Sequence, residues 1–390
     1  MNEKRLQGQL RVFKEFKDQY EASDRRTPLA RFLSAYFKSR PQMGSRDRRT
    51  TSTLLYDYYR IGKACAYLEV DQRLALALFL CETESVFCAL INPHLSTTIA
   101  AELDEKLIQV EAEMGFALKD IFPGLEELSP EVDRLAFLKS HLIRPQVFMY
   151  IYPGKLDKVK QILDLNAISY LQHGPHTLSV PSGTPLQNIS ALRRSYEIQD
   201  FASQQVADIY QASPGEHWWD ACAGSGGKSI VFSQQNPGVQ LTVSDIRPSI
   251  LRNLDLRFHE AGIKSFRKKI IDLSQPLHPV LGDEQFDGII LDAPCSGSGT
   301  WARTPELLSV FNPDEILGFA ERQKRMALHV LPFLKPGKPL IYITCSVYKQ
   351  ENEGVVSYLE SQGMQVQSMQ YFKGYHRGGD TLFVARLTKI

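Results

Sequence analysis

The chain has 390 residues, 43% of them hydrophobic and 23% charged, and its 45 Lys and Arg nearly balance 44 Asp and Glu for a formal net charge of +1. That length leads us to expect two or three domains of an ordinary soluble globular protein. No apolar run approaches membrane-spanning length, the opening MNEKRLQGQLRVFKEF lacks the apolar core and cleavage site of a signal peptide, and a cytoplasmic location is expected; the near-zero charge neither demands nor excludes a polyanionic partner.

In chain order, residues 1–142 predict an all-helical domain. TPLARFLSAYFKSR and RTTSTLLYDYYRIGKACAYLEV carry apolar residues at three- and four-residue spacing, and SPEVDRLAFLKSHL predicts a helix with Ser129 as N-cap and Pro130 at its first position. Cys65, Cys81 and Cys88 lie in apolar helical sequence and read as small core residues. No CxxC pair or Cys/His ligand spacing is found among the six cysteines, so no metal is expected and the thiols should be reduced. Basic residues cluster in DRR, twice, in Arg193-Arg194 and in IKSFRKK; each cluster reads as a solvated face unless a polyanion meets it.

The texture changes at RPQVFMYIYPG. A strand there, a helix at KLDKVKQILDL, strands near ISYLQ and TLSV, and the turn-rich PSGTPLQN predict a small α/β linker domain, RRM-like, over 143–200. Over 201–390, the apolar strands HWWDACAG, QLTVSD, FRKKIID, FDGIILDAP, KPLIYITCS and TLFVARLTK alternate with amphipathic helices. That alternation predicts a Rossmann-like α/β domain with a mostly parallel sheet.

Ligands of such sheets bind beyond the carboxyl ends of the strands. The first strand of this domain ends in WWDACAGSGGKS, where Gly224, Gly226 and Gly227 let the backbone turn sharply and approach a ligand, and the next helix offers free N–H groups. The following strand ends at Asp245, an acid placed to accept from two ribose hydroxyls, and the third at Asp272, where a carboxylate can meet an adenine amino group. Each acid also reads as a helix N-cap, but three at successive strand ends, Asp220, Asp245 and Asp272, behind a Gly-rich turn point to a nucleoside cofactor. GxxxxGK[ST] cannot be laid on the turn and a strict GxGxxG is absent, so S-adenosylmethionine is expected rather than a dinucleotide.

Two thiols, Cys295 and Cys345, follow apolar strands, the first beside Asp292. Carbon 5 of cytosine is too weak a nucleophile to take a methyl group directly. A thiolate adding at carbon 6 activates it, a base must later remove the carbon 5 proton, and a carboxyl group must hold the amino edge. Cys295, Cys345 and Asp292 supply those parts, although this chemistry does not rank the two sulfurs.

The segments DACAGSGGKS, DAPCSGSGTWARTPE and ITCSVYKQENEG closely resemble the signature segments of the RsmB/Sun-type RNA cytosine-5 methyltransferases. YEIQDFASQQVA and GYHRGGDTLFVARL extend the resemblance over about 195–390, and GSRDRRTTSTLLYDYYRIGKA is similar to the NusB-like RNA-binding domain that precedes the catalytic domain in some members. The resemblance implies Cys345 as nucleophile and Cys295 as the residue needed for proton removal and release. It further implies that Asp292 contacts base and cofactor and that Lys228 positions the reacting groups. Cys222, Ala223, Gly224, Ser225, Gly226, Gly227 and Lys228, with Asp245, Asp272 and Asp292, would bind S-adenosylmethionine. The expected substrate is ribosomal RNA, with transfer RNA as the alternative and no membrane partner. An RNA-binding assembly factor with a silent methyltransferase domain is a competing reading, and DNA methylation is disfavoured by the second thiol. Two departures stand out: Gly224-Ser225 replaces the family's Ala-Pro in the cofactor turn, and Thr381-Leu382 replaces Gly-Phe.

Overall fold

The computed structural model describes residues 3–23 and 27–390, so the first DRR cluster, 24–26, lies outside the described residues. The chain gathers into two compact units: Met1–Glu126, Arg134–Arg144 and Trp301–Pro313 form one, and Glu127–Asp133, Pro145–Thr300 and Asp314–Ile390 form the other.

The first unit is helical. Its opening helix, Glu3–Ala22, buries Leu6, Leu10, Phe13, Phe16 and Tyr20 along one stripe, the spacing a 3.6-residue turn requires. Phe16 meets Phe32 and Tyr36 of helix Leu29–Lys38 edge-on at 5.3 and 4.8 Å. The expected helical run from 49 to 70 is interrupted. Helix Ser45–Arg60 stops where Gly62 turns at φ +54, and a Cβ there would lie 1.9 Å from the Ile121 carbonyl oxygen; the next helix, Val70–Cys81, starts afresh. Trp301 belongs to this unit, fully buried, with its ring 5.1 Å from Phe122 and 4.8 Å from Phe311. Arg60 donates to the carbonyls of both His141 and Ala302 at 3.0 Å, and Glu306 accepts from the Leu29 amide at 3.0 Å. Cys65 and Cys88 are buried and Cys81 partly so, and all six cysteines are free thiols.

Ser129 does not cap a helix that begins at Pro130: the helix runs Arg134–Ser140. Ser129 Oγ instead accepts from the Glu131 amide and donates to Glu353, while the Ser129 amide donates to the Val347 carbonyl. Tertiary hydrogen bonds hold residues 127–133 in the second unit and delay the helix by one turn.

The second unit contains two sheets. Strands β1 (Val147–Ile151), β2 (Leu171–Gln172), β3 (Thr177–Val180) and β4 (Tyr196–Ile198) make an antiparallel sheet ordered β2-β3-β1-β4. Helix Leu156–Leu165 packs Val159 and Leu163 onto Met149, Ile151, Leu178 and Val180. The larger sheet comprises β5 (His217–Asp220), β6 (Gln240–Asp245), β7 (Arg267–Ile270), β8 (Gly288–Asp292), β9 (Pro339–Thr344), β10 (Met364–Lys373) and β11 (Thr381–Lys389), ordered β10-β11-β9-β8-β5-β6-β7. β5 to β9 run parallel, and the β10–β11 hairpin is antiparallel. β4 and β10 fall outside the strands expected from sequence.

Because neighbouring strand residues face opposite sides, Trp218 and Trp219 serve two cores. Trp219 joins Leu291, Leu340 and Tyr342 under helix Glu315–Val330, whereas Trp218 joins Ile290, Ile341 and Ile343 under helices Gly227–Gln235 and Pro248–Glu260. A Cβ on Gly288 would sit 2.4 Å from Trp218, so the neighbouring strand carries no side chain there. β5 lies between β6 and β8, the point at which strand order reverses and where open α/β sheets form their crevice. Among the described residues, no helix is long and apolar enough to cross a membrane.

Candidate active site

A cleft of about 870 Å³ opens at the carboxyl ends of β5, β6 and β8, and its wall includes Cys222, Ala223, Gly224, Ser225, Gly227, Lys228, Asp245, Asp272, Asp292, Cys295 and Cys345. Gly226 is absent from that wall. It turns at φ +87 and faces Phe258 and Leu254, which a Cβ would approach to 2.7 and 2.9 Å, so this glycine serves helix packing and not the cleft.

The turn after β5 is fastened from two sides. The Gly224 amide donates to the Asp245 carboxylate at 3.1 Å, with Gly224 at φ +54. Arg257 donates to the Ser225 carbonyl at 2.9 Å and to the Ser225 hydroxyl, and is itself held by Glu197 of β4 at 2.6 Å. Where the resembling family has a proline ring, this chain has a guanidinium bridge. Thr381, the other departure, is fully buried, and its carbonyl lies 2.3 Å from where a Gly299 Cβ would be. The backbones of the β8 loop and β11 meet there with no room for a side chain on residue 299.

Electrostatics divide the acids. Asp220, at the end of β5, is buried with the Ser229 hydroxyl donating to it at 2.5 Å; burial above all, and Asp292 nearby, push its carboxyl up to about 7. Asp245 is also buried, but the fork and amide of Arg247 at 2.9–3.1 Å outweigh burial and keep its carboxyl below the usual range. A ribose at Asp245 would therefore share that carboxylate with Arg247. Asp272 accepts from the amide and hydroxyl of Ser274, which lowers it.

The candidate reacting groups meet at the ends of β8 and β9. Cys295 and Cys345, 50 residues apart, bring their sulfurs to 3.3 Å. The hydrogen bond to Cys345, then burial, raises the Cys295 thiol well above its ordinary value. Lys228 donates to Asp292 at 2.7 Å; burial alone would lower its ammonium, but Asp292 and the more distant Cys345 outweigh burial and keep it charged. Cys222 is raised too, by burial and by the carboxylates of Asp220, Asp292 and Asp245.

A buried carboxylate ties the two cysteine loops together. Glu351 accepts from the amide of Ser296 at 2.9 Å, its hydroxyl at 2.5 Å, the Ser346 hydroxyl at 2.6 Å and Gln323 Nε2 at 2.9 Å, and the Gly299 amide donates to the Cys345 carbonyl at 2.8 Å. Sequence reading singled out neither Glu351 nor the wall residues Ile246, Arg322, Arg325 and Met326. The available signals were an acid six residues past a strand-end thiol and an Arg pair at helical spacing in RQKRM.

Residues 207–384 match the family described as 16S rRNA methyltransferase RsmB/F. Over these residues the chain is similar to that family. The chain is 33% identical over 164 residues to ribosomal RNA small subunit methyltransferase B of Xanthomonas campestris, covering 40% of this chain and 36% of that protein. It is 30% identical over 206 residues to the protein so named in Shewanella oneidensis, covering 53% and 46%; the match thus spans less than half of either relative. In fold, the chain is similar to PH0851 (TM-score 0.70, 19% identity, 90% of this chain and 93% of that one). It is also similar to NSun6 from Pyrococcus horikoshii with SFG (TM-score 0.61, 16% identity, 69% and 99%).

Proposed function

We propose that this chain is an RNA cytosine-5 methyltransferase that methylates small-subunit ribosomal RNA with S-adenosylmethionine, through a covalent bond between Cys345 and the target base. The observation that carries this reading is the 3.3 Å approach of two sulfurs beside the Lys228–Asp292 pair on one cleft wall. The family description and the names of the curated relatives support ribosomal RNA as the substrate class.

The cleft fits the cofactor. Gly224 presents backbone without a side chain, Asp245 supplies a carboxylate for ribose hydroxyls once Arg247 shares it, and Ile246, more than half exposed on the wall, offers an apolar face to an adenine ring. When bound, S-adenosylmethionine supplies the methyl group. The chain's own residues do the rest. Asp292 accepts from the cytosine amino group. The Cys345 thiolate adds to carbon 6, forming a carbon–sulfur bond and driving an electron pair towards carbon 5, while the Lys228 ammonium offsets the charge that builds on the ring. After methylation Cys295, beside the sulfur now bonded to carbon 6, releases its own proton to solvent and as thiolate takes the carbon 5 proton; the carbon–hydrogen electron pair re-forms the ring double bond, and Cys345 leaves with the pair of the carbon–sulfur bond.

Incubation with a small-subunit ribosomal RNA transcript and the cofactor, followed by a denaturing gel, tests the assignment. Cys295→Ala should accumulate RNA-linked protein, and Cys345→Ala should lose linkage and methylation together. The reverse pattern exchanges the two sulfurs. Cofactor binding by the wild-type chain without methylation of any RNA would favour the silent assembly-factor reading.

A further inference from the structure

The arginines that line the cleft are not equivalent. Arg247 is occupied by Asp245, and Arg257 by Glu197 and Ser225. Arg322 and Arg325 also line the cleft and are exposed, and among the described residues neither makes an ion pair. Both belong to helix Glu315–Val330, which is held against the core through Ala320, Gln323 and Ala327. That helix is fastened along the cleft: Gln323 Nε2 donates to the Pro294 carbonyl, next to Cys295, at 3.1 Å, and His329 Nδ1 hydrogen-bonds the Leu273 carbonyl, next to Asp272, at 2.7 Å. Two guanidinium groups without a carboxylate partner among the described residues, that of Arg322 lying 5.8 Å from the Phe319 ring centre, therefore stand on a fixed helix at the mouth of the cleft, three residues apart and on one face. Of the other basic clusters of this unit, Arg267, Lys268 and Lys269 pair with Glu284 and Asp255, whereas Arg193 reaches Glu260 only at 3.9 Å and does not line the cleft.

We propose that Arg322 and Arg325 form a phosphate clamp for the single RNA strand that carries the target cytosine. The inference rests on the RNA reading above and assigns a surface to it. A base that enters the cleft must leave its stack, yet its own and neighbouring phosphates stay outside, at the mouth. An exposed guanidinium binds phosphate bidentately there without the desolvation that a deeper position imposes.

Filter binding of a small-subunit ribosomal RNA transcript across a potassium chloride series tests the clamp. Each phosphate neutralised on a single strand contributes about 0.7 to the slope of log affinity against log salt, so Arg322→Gln/Arg325→Gln should give a slope shallower by about 1.4. The Arg322→Lys/Arg325→Lys chain should keep most of the slope, and both variants should bind S-adenosylhomocysteine as the wild type does in calorimetry. An unchanged slope overturns the clamp, and an unchanged slope with weakened S-adenosylhomocysteine binding assigns the two arginines to the cofactor site instead. Methylation of the same transcript by the wild type is measured in parallel. Its absence alongside the expected slope change overturns the functional reading alone, whereas a wild type with no salt-dependent RNA binding overturns both.

Discussion

Asp220 stands at the meeting of β5 with the cofactor turn, buried, with Ser229 donating to it. Its carboxyl, pushed up to about 7 mainly by burial, gives the folded protein a distinct pH response. An acid with a raised folded pKa holds its proton in the folded state after the unfolded chain has released it. The folded state therefore binds more protons between about pH 4 and 7, and stability falls as pH rises through that window. Each tenfold change in proton affinity corresponds to about 1.4 kcal/mol, so the charged form costs several kcal/mol above pH 7. Asp220→Asn keeps an oxygen for Ser229 and removes the charge. We expect its stability relative to wild type, measured by urea unfolding, to improve steadily between pH 4.5 and 7.5; a constant difference would contradict the burial argument. At this scale the convergence of the two sulfurs was legible in the sequence. Cys295, Cys345 and Asp292 each end an apolar run, and β8 and β9 are paired parallel neighbours, so equivalent strand ends converge. The place of Gly226 off the cleft wall was not legible, because a glycine signals only that something comes close or that φ is positive; what comes close here is Phe258 and Leu254.

The reactive elements are two loops, one after β8 and one after β9, and Glu351 is the acceptor they share. Hydrogen bonds to a charged group contribute about 1.5–3 kcal/mol each, and this carboxylate receives donors from Ser296, Ser346 and Gln323. Glu351→Gln removes the charge and turns one acceptor into a donor facing those donors, so the loops should part. Displacing reacting groups by about 1 Å can cost 10²-fold in rate. We therefore expect kcat to fall by about that factor with KM for RNA little changed. An altered melting temperature with normal kcat would reduce Glu351 to a structural part. An acid six residues past Cys345 does not by itself announce this role, because the role exists only once three segments have come together. β10 escaped notice for a different reason: it is an edge strand whose residues are largely exposed, in MQVQSMQYFK, so it lacks the apolar run that marks β8 and β9. The apolar strands β8 and β9 were legible, since strands covered on both faces are apolar along most of their length.

At the scale of the whole molecule, the chain does not finish one unit before starting the next. It crosses between them after Glu126, Asp133, Arg144, Thr300 and Pro313. Trp301 fills the helical core against Phe122 and Phe311 although it lies more than 150 residues beyond the last earlier segment of that unit. Trp301→Ala should destabilise the helical unit by about 3–5 kcal/mol, the usual cost of emptying such a site. Hydrogen exchange should then speed up in helices Leu29–Lys38 and Ser45–Arg60; acceleration confined to the seven-stranded sheet would refute the placement. Periodicity could not reveal this crossing, since DAPCSGSGTWARTPE reads as one loop of the sheet domain. The same insertion sets the order of events at the ribosome. At roughly 5–20 residues per second, some ten to thirty seconds pass between the emergence of Arg144 and that of Pro313. The nascent helical bundle spends that time without the tryptophan that completes its interior, and it can close only after most of the downstream sheet has been made.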